Sequence, residues 1–261
     1  MPPTSASDPL RAPPPARIGC AGWSIPRGEQ ARFAEGGSHL ERYASRFGAV
    51  EINSSFHRPH RPSTYARWAD AVPPSFRFSA KLPKTITHTR RLVDAEPLLD
   101  TFLAESARLG GRLACLLAQL PPSLAFDDTV ADAFFTALRG RFPGGLACEP
   151  RHASWFDGVS GDAADALLAA HRVARVAADP ARVPVAGQAG GWSGLAYHRL
   201  HGSPRIYYSS YPPESLDALA ARIAADRARG AEVWCIFDNT ASGAATGNAL
   251  DLLAQLGETA G

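Results

Sequence analysis

The residues best suited to chemistry lie where apolar runs end in charged or polar side chains. The apolar stretch 145–148 leads directly into Glu149, Arg151, His152 and Trp155. A carboxylate, a guanidinium and an imidazole are costly to remove from water, so this cluster after a buried strand indicates a site. Together these groups can bind an anion and exchange protons near neutral pH.

The same pattern recurs after other apolar runs, which end in Asn53, Lys81, Gln119, Asp179, Arg199, His201 and Asp238. In a parallel sheet or barrel such residues share one rim. We predict the catalytic groups to be Glu149 or Asp179 as base, His201 or His152 as proton shuttle, and Lys81. The predicted substrate- or anion-binding residues are Arg199, Arg151, Asn53, Gln119, Gly202, Asp238, Asn239, Trp23 and Trp155. A structural alternative is that Glu149 with Arg151, or Asp179 with Arg199, form ion pairs that only hold the fold.

The loops after the seventh and eighth predicted strands form the most specific local pattern. They contain Arg199, His201 and Gly202, and then Asp238, Asn239 and the segment 240–244. Glycines permit close backbone approach, and the amides at a helix start favour an anion such as phosphate. The alternative is that Thr240 or Ser242 caps the last helix and that Gly202 serves a turn.

Other chemistries are less favoured by the sequence. Glu51, Glu149, Asp179, His201 and Asp238 could bind a divalent metal, but no compact spacing links them. We therefore assign no metal ligands, and a divalent metal stays possible but not favoured. Lys81 could form a Schiff base if desolvated, although binding a phosphate or carboxylate is the more common role. Several aromatic residues could line the mouth and stack a planar or sugar-like ligand, or simply belong to the core; they are Trp23, Trp155, Trp192, Phe56, Tyr207, Tyr208 and Tyr211.

Eight apolar runs separated by mostly helical segments position these residues. The predicted strands are 18–23, 49–53, 76–81, 113–120, 145–149, 173–179, 196–201 and 233–238. They do not alternate, as is typical of strands buried on both faces, and their number and spacing favour a (β/α)8 TIM-type barrel. The helix after strand six is expected to be irregular or missing, because 180–194 is rich in Pro and Gly; this segment could be a lid. A doubly wound α/β sheet is the alternative, but no Gly-rich phosphate fingerprint follows strand one.

Composition bounds the rest of the interpretation. The 261 residues carry a formal net charge of +2, too small to require nucleic acid or an anionic membrane as partner. We expect one barrel domain at 17–257, a disordered Pro- and Ala-rich tail at 1–16 and a short tail at 258–261. Cys20, Cys115, Cys148 and Cys235 lie far apart inside predicted strands, which indicates buried free thiols. With no signal peptide or membrane span in the sequence, we expect a cytoplasmic protein.

Several motifs in order resemble the domain-of-unknown-function family 72. They include Gly22-Trp23-Ser24, Glu51-Ile52-Asn53-Ser54-Ser55-Phe56, Glu149-Pro150-Arg151-His152, Arg199-Leu200-His201-Gly202 and Asp238-Asn239-Thr240, and the resemblance covers nearly all of 17–256. The resemblance implies a TIM-type barrel related in shape to sugar isomerases and to endonucleases acting at abasic sites, with no established reaction. The chain departs from the family pattern at Ile25, His57 and Pro150.

Three hypotheses for function follow from these patterns. The leading one is an enzyme that acts on a small anionic, phosphorylated or carboxylated, substrate by general acid–base chemistry at the rim. The second is a nucleic-acid-binding or damage-recognising protein, in which cations bind phosphates and aromatic rings stack on bases; the even spread of charge disfavours it. The third is a ligand sensor without turnover. The sequence leaves cofactors and oligomeric state open.

Overall fold

A computed structural model of the chain describes residues 15–257, which contain ten β-strands and seven α-helices. The predicted tail at 258–261, and residues 1–14 of the predicted tail at 1–16, lie outside the described residues. The strands are β1 (Arg17–Cys20), β2 (Ala49–Ile52), β3 (Arg77–Lys81), β4 (Leu113–Gln119), β5 (Gly145–Glu149), β6 (Val173–Arg175), β7 (Ala177–Asp179), β8 (Gly190–Gly191), β9 (Leu195–Leu200) and β10 (Glu232–Phe237).

Helices connect most of these strands, as the alternating pattern predicted. They are α1 (His39–Ala44), α2 (Pro62–Asp70), α3 (Glu96–Ser106), α4 (Asp128–Arg141), α5 (Gly158–Ala170), α6 (Pro213–Ala228) and α7 (Ala244–Gln255). Two helix starts carry side-chain caps. Ser38 and Glu41 form a reciprocal capping box at α1, and Asp127 accepts a hydrogen bond from the Val130 amide at α4.

The fold is mixed α/β, with parallel strands arranged in two sheets. One sheet has the order β1-β10-β9-β7 and the other has the order β2-β3-β4-β5-β6-β8. All pairs are parallel except β6 with the two-residue strand β8. The prediction of a barrel is therefore confirmed in part. The parallel strands and the intervening helices are present, while the hydrogen-bonded strand ladders are divided between two sheets.

The two sheets approach each other at two places. Beyond the end of β1, Ala21 and Glu51 form an isolated parallel bridge, and the Gly22 amide donates to the Glu51 carbonyl at 2.9 Å. At the other place, sequence-predicted strand six is interrupted at Val176. Its first half, β6, pairs with β5, and its second half, β7, pairs with β9.

The approach of β1 to β2 depends on Gly19 and Tyr43. A Cβ at position 19 would lie 2.2 Å from the Ala49 carbonyl oxygen, so only glycine fits there. The buried Tyr43 hydroxyl accepts from the Cys20 amide at 2.8 Å and donates to the Ala49 carbonyl at 3.1 Å. One side chain therefore satisfies backbone groups of both strands where no regular ladder does so.

The segment 180–194 contains no α-helix, as expected. It forms a 3₁₀ turn at Pro184–Gly187 followed by β8. Arg175 holds it by donating to the carbonyls of Val185 and Gln188, and the Trp192 amide donates to the Val173 carbonyl. These contacts fasten the segment to β6.

Two apolar clusters fill the protein, one between strands and helices and a smaller one among the strands. The smaller cluster combines alanines with the large rings of Tyr197 and Trp234, which stack with an interplanar angle of 6°. All four cysteines are buried and free, which confirms the prediction from their spacing. Within the described part of the chain, no helix has both the length and the apolar character needed to cross a bilayer.

Tyr43→Phe is expected to lower the free energy of unfolding by about 1–3 kcal/mol, because the change leaves a buried amide and a buried carbonyl without their partner. Urea denaturation at neutral pH measures this. The matched control is Tyr65→Phe, since the Tyr65 hydroxyl is buried and has no hydrogen-bond partner among residues 15–257. Its removal should be neutral or stabilising. Equal losses from both variants would contradict the role assigned to Tyr43.

Candidate functional site

A fully buried guanidinium, that of Arg199, lies at the centre of the polar strand ends. Its Nε and one terminal nitrogen donate to the two carboxylate oxygens of Glu51 at 3.0 and 2.7 Å. The other terminal nitrogen lies 3.1 Å from Glu149 Oε2, and Asp238 Oδ2 lies 3.0 Å from the group. Arg199 is 0% exposed, so these three carboxylates replace the water that a guanidinium would otherwise bind.

Glu149, at the end of β5, is surrounded by donors on both oxygens. Oε1 accepts from Arg151 at 2.6 Å and lies 2.9 Å from His201 Nε2. Oε2 accepts from Arg199 and from the Gln119 side-chain amide at 3.2 Å. Burial raises the pKa of Glu149, but the nearby positive charges of His201, Arg199 and Arg151 outweigh burial and hold it well below its usual range.

His201 lies between two carboxylates. Its Nδ1 is 3.1 Å from Asp238 Oδ2 and its Nε2 is 2.9 Å from Glu149 Oε1. A terminal nitrogen of Arg151 also lies 3.0 Å from Nε2, and this contact disfavours the imidazolium. Burial lowers the pKa of His201, yet the attraction of Glu149 and the hydrogen bonds to both carboxylates raise it overall. The carboxylates of Glu149 and Asp238 thus favour the charged ring, while the guanidiniums of Arg199 and Arg151 oppose it.

Asp238 follows β10 and completes the cluster. Burial raises the pKa of its carboxyl, but Arg199, His201 and Lys81 together lower it. The carboxylates of Glu51, Glu149 and Asp238 thus face Arg199, Arg151, Lys81 and His201. When His201 is protonated, the positive groups of this cluster outnumber its carboxylates by one.

Lys81 ends β3 beside this cluster. Its Nζ donates to Asn53 Oδ1 at 3.2 Å and lies 4.1 Å from the centre of the Phe56 ring. Burial, and then repulsion from Arg199, lower its pKa to about 8, although the surrounding carboxylates oppose this shift. Lys81 therefore exchanges its proton much closer to neutral pH than an ordinary lysine does.

A cavity of about 510 Å³ opens above these groups. Its charged and polar lining is formed by Lys81, Arg151, Asp238, Asn53 and Gln119. Its aromatic lining is formed by Phe56, His57, His88, Tyr207 and Tyr208. His88 belongs to a single π-helical turn, Thr85–Thr89, and such turns often occur at functional sites. A second cavity shares Asn53 and His57 with the first and contains Trp23 and Trp68.

The structure brings together part of the sequence-predicted set. Lys81, Arg151, Asn53, Gln119 and Asp238 line the cavity, and Glu149, His201 and Arg199 lie in the cluster beside it. The remaining predicted residues are not among those that line this cavity, and their predicted roles stay predictions; they are Asp179, His152, Gly202, Asn239, Trp23 and Trp155. None of residues 180–194 lines it either.

The contacts of those remaining residues lie elsewhere. Asp179 accepts a hydrogen bond from Tyr211 at 2.8 Å, not from Arg199, so the expected pair of Asp179 with Arg199 is wrong. The expected pair of Glu149 with Arg151 is present. His152 contacts Ser154 in the turn after β5. Trp155 is buried and donates to the Leu124 carbonyl, as its core alternative predicted.

The loops after β9 and β10 differ from the predicted phosphate cradle. The Gly202 amide donates to the Tyr211 hydroxyl, and the Gly243 and Ala245 amides donate to the Thr240 and Asn239 carbonyls. Helix α7 begins after Gly243 without a side-chain cap, so the alternative that Thr240 or Ser242 caps this helix is wrong, while the anion site at these loops stays a prediction. Because these amides already have partners and Arg199 is enclosed, the cations that face the cavity are Lys81 and Arg151.

Sequence reasoning placed Glu51 only among possible metal ligands, whereas its carboxylate is the main partner of Arg199. A carboxylate in the middle of the apolar run Val50-Glu51-Ile52 was the available signal, because such a group must be paired when buried. Among the described residues, no group of three His, Cys, Asp or Glu side chains is arranged to hold a metal ion.

These features define an α/β protein of parallel strands whose polar strand ends gather beside one cationic, aromatic-walled cavity. The family described as "Protein of unknown function DUF72" matches residues 17–261. The chain belongs to this family, which confirms the resemblance seen in its motifs.

Individual relatives support the same assignment. The UPF0759 protein YecE of Escherichia coli K12 is 31% identical over 140 residues, or 53% of this chain and 49% of YecE. The match thus spans about half the length of the curated relatives. A DUF72 family protein of Enterococcus faecalis V583 has a similar solved structure, with a TM-score of 0.77, 21% identity and coverage of 94% of this chain and 96% of that one. Another, from Thermotoga maritima MSB8, has a TM-score of 0.75 at 24% identity and covers 92% and 99%. At these identities the structures show a shared fold.

The raised pKa of His201 leads to a stability prediction. Its contribution is fully present below the unfolded value, about pH 6.5, and is lost as the pH rises through the raised folded value. Between pH 6.5 and 9, the unfolding free energy of the wild type should therefore fall relative to that of His201→Gln, by at most about 1.4 kcal/mol per pH unit. Urea denaturation of both proteins across this pH range measures the difference between their unfolding free energies. Lys81 titrates in both proteins, so its contribution is common to the two curves. Parallel curves would show that His201 is not held as an imidazolium.

Proposed function

We propose that the cavity binds a small substrate carrying a phosphate or carboxylate group, and that the protein is an enzyme that performs general acid–base chemistry there. The observation that carries this proposal is that Lys81 and Arg151, two cations from different strand ends, line the same cavity. Arg151 retains 18% side-chain exposure although it pairs with Glu149. Nε and one terminal nitrogen of Arg151 contact Glu149 and His201, which leaves the donors of the other terminal nitrogen for an anion.

In this proposal the roles of the other groups follow from their contacts. Lys81, with a pKa of about 8, is the group that transfers a proton near neutral pH. Glu149, first assigned as a base, becomes a positioning residue, because donors occupy both of its oxygens. His201 and Arg199 fix Glu149, which in turn orients Arg151.

We further propose that the two sheets together make one eight-stranded barrel of the TIM type. The Ala21–Glu51 bridge and the interruption at Val176, where the strand passes from one sheet to the other, support this arrangement. The cavity would then lie at the carboxyl-terminal rim, the usual location of active sites in that fold. The buried free thiols are consistent with the reducing cytoplasm.

Arg151→Gln tests the anion site. Isothermal titration with inorganic phosphate and with oxalate should show binding to the wild type and a loss of about ten- to a hundredfold in affinity in the variant, the usual cost of a charge-assisted hydrogen bond. The matched control is Arg141→Gln, which removes a surface arginine paired with Asp100. It should leave the affinity unchanged.

Two results would overturn the proposal. One is phosphate binding that is unaffected by Arg151→Gln. The other is the absence of binding by phosphate and oxalate to a wild-type protein whose folding is confirmed by circular dichroism.

A second candidate function is recognition of single-stranded nucleic acid, which the five aromatic rings around the cavity favour. Such rings stack on bases while cations hold the phosphates. It predicts that a short single-stranded oligonucleotide binds with an affinity that falls steeply as salt rises, and that Tyr208→Ala weakens it. Fluorescence anisotropy across a salt series measures this. Binding by small anions with no binding by the oligonucleotide would exclude this candidate.

A further inference from the structure

Lysine is almost absent from this chain. Lys and Arg together number 27, and lysine occurs only at positions 81 and 84. Arginine serves elsewhere even where the cation is deeply buried, as at Arg199 and Arg175. The buried position 81 therefore departs from the rule that this chain otherwise follows for its cations.

The two side chains differ in one chemical property that matters here. A guanidinium stays protonated in proteins and has no free lone pair, whereas an ammonium in a desolvated site can lose its proton and become a nucleophilic amine. Fixed charge and hydrogen-bond donors could both be supplied by arginine. A lysine at the cavity, in a chain that otherwise uses arginine, therefore points to a role for the neutral, nucleophilic amine.

The surroundings of Lys81 fit that use. It is 5% exposed, and its Nζ has Asn53 Oδ1 and the face of the Phe56 ring as neighbours. Among residues 15–257, no ion pair within 4 Å is formed by Lys81, although the carboxylate of Asp238 lines the same cavity. Lys84, three residues on, is exposed. One lysine is thus held in the cavity and the other faces solvent, which gives an internal comparison.

We propose that Lys81 is a nucleophile that forms an imine with the carbonyl carbon of an aldehyde or ketone substrate. The anionic group of that substrate is held by Arg151, and this part of the inference rests on the proposed function. The amine nitrogen adds to the carbonyl carbon, the carbonyl oxygen takes up two protons and leaves as water, and a carbon–nitrogen double bond remains. Counted from the ammonium form, the products are a protonated imine and one water, with no oxidant or reductant consumed.

A protonated imine withdraws electrons from the adjacent carbon and so assists proton removal or bond cleavage there. The class of substrate that fits is therefore an anionic carbonyl compound, such as a sugar phosphate or an oxo acid. The aromatic lining also accommodates a planar probe.

Borohydride trapping tests the imine directly. The full-length protein is treated with pyridoxal 5′-phosphate, a planar aldehyde with a phosphate, and then reduced with sodium borohydride, and the modified residue is located by peptide mass spectrometry. We expect Lys81 to be modified at least tenfold faster than Lys84 and the α-amino group. The pH dependence of the rate should have its midpoint near the pKa of about 8 of Lys81.

Two lysine variants distinguish the reactivity of the amine from its positive charge. Lys81→Arg keeps a cation but should lose the adduct, whereas Lys84→Arg should retain both the adduct and the binding of inorganic phosphate. The mapping in the wild type stands on its own should Lys81→Arg fold poorly. Modification of Lys84 or the α-amino group alone, or of neither lysine, would overturn the imine.

The phosphate-free analogue pyridoxal distinguishes this failure from failure of the anion site. If pyridoxal and pyridoxal 5′-phosphate modify Lys81 equally fast, and Arg151→Gln changes neither rate, the imine chemistry stands and the proposed anion site is wrong. If phosphate binds in an Arg151-dependent manner but Lys81 gives no adduct, the anion site stands and the imine is wrong.

Discussion

The buried guanidinium of Arg199 is the constraint on which the site depends. Removing this group from water costs several kcal/mol, and only well-placed carboxylates compensate for that cost. Those carboxylates come from β2, β5 and the residue after β10, while Arg199 itself comes from β9. One interaction therefore links strand ends of both sheets and fixes their relative positions at the cavity.

The charge balance of the cavity follows from this arrangement. Arg199 engages Glu51, Glu149 and Asp238, so part of their negative charge is balanced within the cluster. Glu149 then holds Arg151, and Glu149 with Asp238 holds His201. The geometry of Arg151 is therefore set by residues that do not line the cavity.

The sequence was informative about single strands and less so about contacts between them. Four site residues were recognisable because each ends an apolar run: Lys81, Gln119, Glu149 and Asp238. The Glu149–Arg151 pair was recognisable because the two residues are only two positions apart in the chain and must therefore lie close in space. The pairing of Arg199 with Glu51 joins residues 148 apart in the chain. It depends on strand register and on which side chains face the interior, and no local pattern encodes either. Asp179 was a reasonable partner by type, but its carboxylate accepts from Tyr211.

Part of the aromatic lining could be expected from the sequence: Phe56, Tyr207 and Tyr208 were candidates for the mouth of the site, whereas His57 and His88 were not. Phe56, His88 and Tyr207 come from short 3₁₀, π-helical and loop segments, whose conformation depends on tertiary contacts. Tyr207 has a φ of 70°, a left-handed conformation that bulky residues rarely adopt. Its carbonyl accepts from the Ala241 amide, and the Ser242 hydroxyl donates to the Tyr208 carbonyl. The loop after β10 thus holds the tyrosines in place.

The stacked rings of Tyr197 and Trp234 determine what lies beneath the cavity. Tyr197 donates to Glu51 from below the Arg199 cluster, and Trp234 lies against it, so the interior beneath the cavity is filled. The floor of the cavity is therefore formed by the packed interior between the strands. A ligand of this cavity would approach from the side of the polar strand ends and not through the interior.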